Sequence, residues 1–381
     1  MKRLISFFLV LLMAFSFCAC GAKQDKTDKT TLAPTTTEKT TTTAEKETEK
    51  GTTAEVVTAE EEIKTNADYE EGLDYWFGRN GKKYDRTKAL AAFSKAAKNG
   101  NADAYFWMGM ITERTDDFER WDKVVKYFET AVKKGSDLGY YGLAMCYMYG
   151  KGYEQDYGKV KELAKKSIDG GGNTGNLIMG IMNYGGFGID QNGKKAVSYF
   201  TKASKSDDWF IKNHSLLYLG HIYRSGIDSK DDTAEKPDYE KAKSYYEKAI
   251  KNEYFCAATF YANLYESSET GLKEDMDQYF KLKQQGTKDG RYYELGLCYL
   301  YGNGVKQDYQ KARELFEKDL ETGKEAAFDM YAIAWMYAGG YGFEKDYDEA
   351  ADWCEDCIDV AGFGDNAAAA NAKKMLESIK G

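Results

Sequence analysis

The chain is poor in the residues that interrupt helices or build histidine-based chemistry. It has 2 prolines and 2 histidines in 381 residues. The scarcity of proline fits a helical protein, because helix interiors exclude that residue. The two histidines, His214 and His221, are seven residues apart, and no third metal ligand accompanies them. No Ser/His/Asp or Cys/His catalytic set can be assembled, so neither an enzyme nor a bound cofactor is expected. The net charge of −9 argues against nucleic acid as a partner.

The N-terminus carries the features of an export signal. Lys2 and Arg3 precede an apolar run over residues 4–17. The run is too short for a membrane-spanning helix, which needs about 20 residues, and it matches the apolar region of a signal peptide. An uncleaved signal anchor is the alternative.

The end of this run resembles the lipobox of bacterial lipoproteins. Ala19 supplies the small residue before Cys20, and Gly21 follows, whereas Cys18 comes after the bulky Phe17. Phe17 also stands where the family has leucine. The resemblance implies a signal peptide over residues 1–19, diacylglycerol on the thiol of Cys20, and attachment to the outer face of the bacterial cell membrane. Two acyl chains are sufficient for stable anchoring.

Residues 20–62 have the composition of a disordered linker. Residues 21–62 contain 14 Thr, 6 Lys and 10 acidic residues and no aromatic residue. Such a segment cannot bury enough apolar surface to offset its chain entropy. We expect a tether that holds the folded part away from the membrane.

The rest of the chain is a repeat. Residues 295–304 align with residues 143–152, and each segment leads through Gln-Asp-Tyr into a second helix. A small residue at the centre of the motif recurs every 34 to 42 residues. Its eight positions are Gly72, Gly109, Ala144, Gly180, Gly220, Ala262, Gly296 and Ala334.

Each copy predicts two antiparallel helices, called helix A and helix B. Helix A has large apolar residues around the small one, which allows another helix to approach closely. Helix B has apolar residues at helical spacing. Its predicted N-caps are Asp156, Asp238, Asp308 and Asp346, and its predicted left-handed C-terminal glycines are Gly100, Gly135, Gly170 and Gly323. No copy can bury its apolar face alone, so the copies are expected to stack into a solenoid.

These motifs resemble the Sel-one-like repeat, a relative of the tetratricopeptide repeat. The residues of copy seven that match its pattern are Leu295, Gly296, Tyr299, Gly302, Gly304, Val305, Asp308, Lys311, Ala312 and Phe316. The resemblance implies an all-α, right-handed superhelical solenoid of about eight hairpins that binds other proteins and has no catalytic centre. We assign the solenoid to residues 63–365 and a C-terminal capping helix to residues 366–381.

Two further motifs have ordinary structural interpretations. The Gly-x-Gly loops, such as Gly302/Gly304, do not follow a strand and do not lead into Gly-Lys-Ser/Thr, so they are typical of tight turns and not of phosphate loops. The pair Cys354 and Cys357 aligns with apolar positions of helix B, which predicts buried thiols. A disulfide between them is the alternative.

The candidate binding site follows from the register of the repeat. In related repeats, the residue two before the Leu of Leu-Gly and the residue after that Gly face the concave groove. The side chains at these positions that we select for partner binding are Tyr69, Phe106, Tyr141, Met145, Tyr293, Leu297, Tyr331 and Trp335. Aromatic side chains of this kind suit an extended peptide. The alternative is that they pack against neighbouring helices.

The sequence therefore predicts a membrane-anchored scaffold outside the cytoplasm. Its expected partner is an extended peptide or an envelope or secreted protein, held in the concave groove, with the membrane bound through the lipid anchor. Binding of carbohydrate or peptidoglycan fragments by exposed Tyr and Trp is an alternative function. A spacer without a ligand is another.

Overall fold

The computed structural model describes residues 59–113, 120–227, 235–267, 271–322, 326–361 and 367–380. These residues form seventeen α-helices and no β-strand. The first eight are α1 (Ala59–Phe77), α2 (Arg86–Lys98), α3 (Asp103–Thr112), α4 (Arg120–Lys133), α5 (Leu138–Tyr149), α6 (Tyr157–Asp169), α7 (Thr174–Gly185) and α8 (Gly193–Ala203). The remaining nine are α9 (Trp209–Ser225), α10 (Tyr239–Lys251), α11 (Cys256–Ala262), α12 (Met276–Gly286), α13 (Tyr293–Tyr301), α14 (Tyr309–Thr322), α15 (Ala326–Gly339), α16 (Tyr347–Ala361) and α17 (Ala367–Lys380).

The helices pack as eight consecutive hairpins, which confirms the predicted all-α solenoid. Each odd-numbered helix from α1 to α15 is a helix A and packs against the helix B that follows it. Helices A of neighbouring hairpins also contact one another, as α3 does with α5 and α5 with α7. The helices A therefore form one layer of the solenoid, which we call the inner layer. The last helix, α17, packs on both helices of hairpin 8 as a cap.

The predicted N-caps of helix B are confirmed at all four positions. Asp156 accepts from the backbone N–H of Lys159 at 3.0 Å, and Asp238 and Asp308 cap the N–H three residues on in the same way. Asp346 accepts from the N–H groups of two residues in the first turn. Each carboxylate satisfies a backbone donor that the helix leaves without a partner.

The turns around helix B use glycine where the backbone is left-handed. Gly302 and Gly304 have φ of 74° and 68°, as expected for a tight turn between helices. Gly100 and Gly135 are also left-handed. The prediction for Gly170 is wrong, because its φ is −78° and the left-handed residue is the next one, a second glycine.

The small residue of helix A is matched to the side chain that helix B places against it. Where helix A has glycine, helix B has an aromatic ring, and a Cβ added to the glycine would lie 2.4 to 2.6 Å from ring carbons. The pairs are Gly72 with Phe93, Gly109 with Phe128, Gly180 with Phe200, Gly220 with Tyr246 and Gly296 with Phe316.

The three hairpins with alanine in helix A lack this ring. Their equivalent buried helix B side chains, each twenty residues after the alanine, are Ala164, Leu282 and Cys354. The predicted close approach of the two helices is thus confirmed. In each hairpin, the small residue of helix A and the side chain facing it from helix B together set how closely the helices pack.

Several expectations fall at or beyond the limits of the described residues. The signal peptide, Cys20 and the linker up to residue 58 lie outside them, as does Gly323. Helix α1 begins at Ala59, four residues before the expected start of the solenoid. The capping helix begins at Ala367.

Candidate functional site

The solenoid curves so tightly that its first hairpins meet the fifth across the inner layer. Phe210, at the start of α9, lies 5.1 Å from the ring of Trp107, 6.0 Å from that of Phe106 and 5.7 Å from that of Tyr141. Phe77 of hairpin 1 packs edge-on against Trp209 at 4.7 Å. Aromatic side chains from hairpins 1, 2, 3 and 5 thus meet inside the solenoid.

Polar contacts also join hairpin 1 to later hairpins. The loop after α1 places the guanidinium of Arg79 over the ring of Trp209 at 4.5 Å. The backbone N–H of Asn80 donates to the carboxylate of Glu253 at 3.0 Å. The hydroxyl of Tyr84 donates to the carbonyl of Thr322 at 3.2 Å, more than two hundred residues away in sequence.

Three of the eight predicted groove residues are consequently unavailable to a partner. Phe106, Tyr141 and Tyr293 are 0, 5 and 2% exposed. The first two pack against Phe210 across the inner layer, and Tyr293 lies between Phe316 and Phe328 at 5.6 and 5.7 Å. The prediction that these three line an open groove is wrong, because neighbouring hairpins cover them.

The other five predicted residues keep part of their surface exposed. They are Tyr69, Met145, Leu297, Tyr331 and Trp335. Tyr69 is nevertheless committed to the core, since its hydroxyl accepts from the indole N–H of Trp107 at 3.0 Å. Leu297, Tyr331 and Trp335 all belong to hairpins 7 and 8.

Hairpins 7 and 8 bring these three residues together with two further tyrosines. Trp335 and Tyr341 are stacked, with ring centroids 4.3 Å apart and an interplanar angle of 15°. Tyr301 lies 6.1 Å from Trp335 and is 44% exposed. We call Leu297, Tyr301, Tyr331, Trp335 and Tyr341 the C-terminal aromatic patch.

The electrostatics of the patch are those of a weakly solvated phenolic surface. Burial, followed by the neighbouring hydroxyls of Tyr331 and Tyr341, raises the pKa of Tyr301. Burial also raises the pKa of Tyr331. The patch is therefore apolar and aromatic, with hydroxyl groups as its polar component.

Sequence reasoning missed Tyr301 and Tyr341. Tyr301 directly precedes the first glycine of the Gly-x-Gly loop, where Tyr149 stands in copy three, and Tyr341 lies between the two glycines of the last loop. Both positions recur, so comparison of the loops between copies was the signal that could have found them.

Both histidines are buried side chains of α9. Nδ1 of His214 lies 2.8 Å from the hydroxyl of Tyr254, and Nε2 lies 3.3 Å from that of Tyr141. Nδ1 of His221 lies 3.0 Å from the hydroxyl of Tyr246. Burial lowers the pKa of His214 to about 3 and lowers that of His221 as well. Both rings are therefore neutral packing elements at physiological pH.

Cys354 and Cys357 are buried, unbridged thiols, as the sequence indicates. The thiol of Cys357 donates to the carbonyl of Ala327 at 3.1 Å. Burial raises the pKa of Cys354 to about 11 and that of Cys357 to about 12, which leaves both protonated and unreactive.

The described residues contain neither a cluster of metal ligands nor a membrane-spanning helix. No group of three His, Cys, Asp or Glu side chains in this part of the chain could hold a metal ion. No helix within it combines the length and the apolar character needed to cross a bilayer.

The repeat itself decides the family. The model of the Sel1 repeat matches residues 69–101, 138–172, 175–208, 214–254, 292–318 and 327–355, together just over half of the chain. The chain belongs to the Sel1 repeat family. The matches fall on hairpins 1, 3, 4, 5, 7 and 8.

The chain is similar to two curated relatives and to a solved structure. The ERAD-associated E3 ubiquitin-protein ligase component HRD3B of Arabidopsis thaliana is 35% identical over 85 residues, which is 22% of this chain and 13% of the relative. A putative sel1-like repeat-containing protein of Acanthamoeba polyphaga mimivirus is 28% identical over 154 residues, which is 39% of this chain and 25% of that protein. The chain thus spans a quarter or less of these relatives. A Sel1 repeat protein from Oxalobacter formigenes is 22% identical, with a TM-score of 0.44 over 82% of this chain and 86% of that one.

The Sel1 model does not match hairpins 2 and 6, and these two differ in how far they keep the packing of the other hairpins. Hairpin 2 keeps a glycine packed against a ring. In hairpin 6, helix α11 has only seven residues, and helix α12 carries a lysine, Lys283, whose side chain is 1% exposed. The Nζ of Lys283 lies 2.7 Å from a carboxylate oxygen of Glu294. The core of the sixth hairpin therefore contains a buried ion pair between α12 and the first helix of the next hairpin.

Proposed function

We propose that this Sel1 repeat protein is a membrane-anchored scaffold outside the cytoplasm, which binds an extended segment of an envelope or secreted protein at the C-terminal aromatic patch. Sel1 repeat proteins are generally scaffolds for protein–protein interaction and are typically non-catalytic. The solenoid supplies a rigid support, and hairpins 7 and 8 supply the contact surface.

The observation that carries this proposal is that hairpins 7 and 8 keep a group of neighbouring aromatic side chains partly exposed. In hairpins 2 and 3, the predicted groove residues Phe106 and Tyr141 are buried against Phe210. In hairpins 7 and 8, Tyr301 remains 44% exposed beside the stacked Trp335 and Tyr341. Large, rigid aromatic side chains of this kind dominate the energetics of protein interfaces.

The chemistry of the patch favours a peptide over a glycan. Sugar binding combines an aromatic face with carboxylate or amide groups that hydrogen-bond the hydroxyls of the sugar. The contacts within the patch are between aromatic rings, since Trp335 stacks on Tyr341 and Tyr301 lies 6.1 Å from Trp335. An apolar stretch of polypeptide, with one side chain on Trp335 and backbone groups near the tyrosine hydroxyls, fits these properties better.

Site-specific photocrosslinking in cells tests the binding surface. A photoreactive phenylalanine analogue is placed at Tyr301, and the matched control carries it at Tyr347, which is 50% exposed and outside the patch. We expect a discrete crosslinked protein from position 301 and none from position 347. Identical products from both positions, or only glycan-containing products from 301, would refute the peptide assignment.

The anchor is tested separately. We expect Cys20→Ser to move the chain from the membrane fraction to the soluble exported fraction and to abolish labelling by radioactive palmitate. Cys18→Ser is the matched control and should leave both unchanged. Labelling that survives Cys20→Ser would show that the lipid is attached at another residue.

A further inference from the structure

The core of hairpin 6 contains a lysine with all three donors in use. Besides Glu294, the Nζ of Lys283 donates to the carbonyl of Thr259 at 3.1 Å and to Oδ1 of Asn263 at 2.8 Å. These groups come from three helices: Lys283 from α12, Thr259 and Asn263 from α11 and its end, and Glu294 from α13. A buried ammonium costs free energy unless it is paired, and here three acceptors surround it.

Asn263 presents its side-chain carboxamide to this amine. With the 2.8 Å hydrogen bond and a C=O length of about 1.23 Å, Nζ lies between about 3.1 and 4.0 Å from Cγ of Asn263. Reacting atoms held about 3 to 3.5 Å apart are in the range from which intramolecular attack becomes fast. No described residue accepts a hydrogen bond from Nδ2 of Asn263, so the leaving group is not held in place.

We propose that Lys283 and Asn263 form an intramolecular isopeptide bond. Glu294 takes a proton from the ammonium, and the neutral Nζ attacks Cγ of Asn263. The Cγ–Nζ bond forms, and the Cγ–Nδ2 bond breaks. The two protons that Nζ gives up pass through Glu294 to Nδ2, which departs as ammonium. Oxidation states do not change, and no cofactor is required.

The surroundings of Lys283 support this transfer. Tyr279, which is 4% exposed, lies with its ring 5.0 Å from Nζ and keeps water from one side of the amine. Glu266, one turn after Asn263, adds a second carboxyl whose pKa is raised chiefly by burial.

The bond would strengthen the least regular hairpin of the solenoid. Helix α11 has seven residues, and residues 268–270 of the connection to α12 lie outside the described part of the chain. A link from position 263 to position 283 would close a loop across this connection and tie α12 to the end of α11. Cross-links of this type act mainly by restricting the unfolded chain.

Peptide mapping of the full chain purified from cells tests the proposal. Trypsin cannot cleave after an acylated Lys283, so the linked protein should yield residues 252–273 joined to residues 282–288. The mass of this product should be lower by about 17 Da than the sum of the two linear peptides, because ammonia has left. Complete recovery of linear 252–273 together with full cleavage after Lys283, from soluble and folded protein, would overturn the proposal.

Two variants identify the reacting groups. We expect Lys283→Arg, which keeps the positive charge but cannot be acylated, to give only the linear peptide 252–273. We expect Glu294→Gln, which keeps the shape but cannot accept the proton, to lower the linked fraction at least tenfold. Circular dichroism matching the wild type shows that each variant folds. Full linkage in Glu294→Gln would refute the proton transfer through this residue.

Discussion

Acidification from about pH 7 to about pH 5.5 should lower the free energy of unfolding through the two buried histidines. His214 titrates at about 3 in the folded chain, and the pKa of His221 is also lowered. In the unfolded chain both titrate near about 6.5. Because the folded pKa is the lower one, this contribution to stability is present above about pH 6.5 and is lost as the pH falls.

For the histidines, the loss of stability follows from proton uptake by the unfolded chain, because both rings stay neutral in the folded chain. Between about pH 7 and about pH 5.5, each histidine that stays neutral in the folded state lowers the free energy of unfolding by about 1.25 kcal/mol, so the two together lower it by about 2.5 kcal/mol. Asp208 acts in the opposite direction, because burial raises its pKa to about 6. Its protonation in the folded chain raises the free energy of unfolding by about 0.8 kcal/mol over the same pH range. For these three groups taken together, the loss is about 1.7 kcal/mol.

The assay compares pH dependences and does not rely on absolute stabilities. Urea unfolding of the wild type and of His214→Gln is measured at both pH values. The variant loses two hydrogen-bonded contacts and is less stable at either pH, but its stability should fall by about 1.25 kcal/mol less on acidification. His221→Gln is a second test, and its acid-induced loss of stability should also be smaller than that of the wild type. Equal acid-induced losses in the wild type and in His214→Gln would refute the assignment of a neutral, buried imidazole.

Three substitutions test the packing of the hairpins. Gly296→Ala should lower the free energy of unfolding by about 1–3 kcal/mol, because its Cβ would overlap the ring of Phe316, and adding Phe316→Cys should recover part of the loss in urea unfolding. Asp308→Ala should cost about 1 kcal/mol by removing the cap of α14, whereas a loss below about 0.3 kcal/mol would show that the cap is not needed. Phe210→Ala should cost about 3–5 kcal/mol, and a change under about 1 kcal/mol would contradict its place at the centre of the inner layer.

The hairpins could be predicted from the sequence because their determinants are local. The small residue of helix A, the capping aspartate and the paired loop glycines lie within one repeat, and the small residue and the cap act on partners inside that same repeat. The pattern also repeats eight times, so a weak copy such as that around Ala262 is recognised by its spacing. The thiols of Cys354 and Cys357 were placed correctly for the same reason.

The burial of the inner layer could not be predicted in this way. Phe106 and Tyr141 do point inward, but their exposure depends on whether Phe210 of hairpin 5 comes within reach. That distance is set by small rotations that accumulate over several hairpins, and no single repeat encodes it. The cluster around Lys283 joins residues of three helices, so its composition also became visible only in three dimensions.

The pairing of a small residue in helix A with its partner in helix B limits how such a gene can recombine. A crossover between two whole hairpins carries both members of a pair, such as Gly296 and Phe316, and keeps the packing intact. A crossover within a hairpin would join Ala334 to a ring, which overlaps, or Gly296 to a thiol, which leaves a void. Duplication and exchange are therefore expected to proceed in units of one complete hairpin, with breakpoints in the connection from helix B to the next helix A.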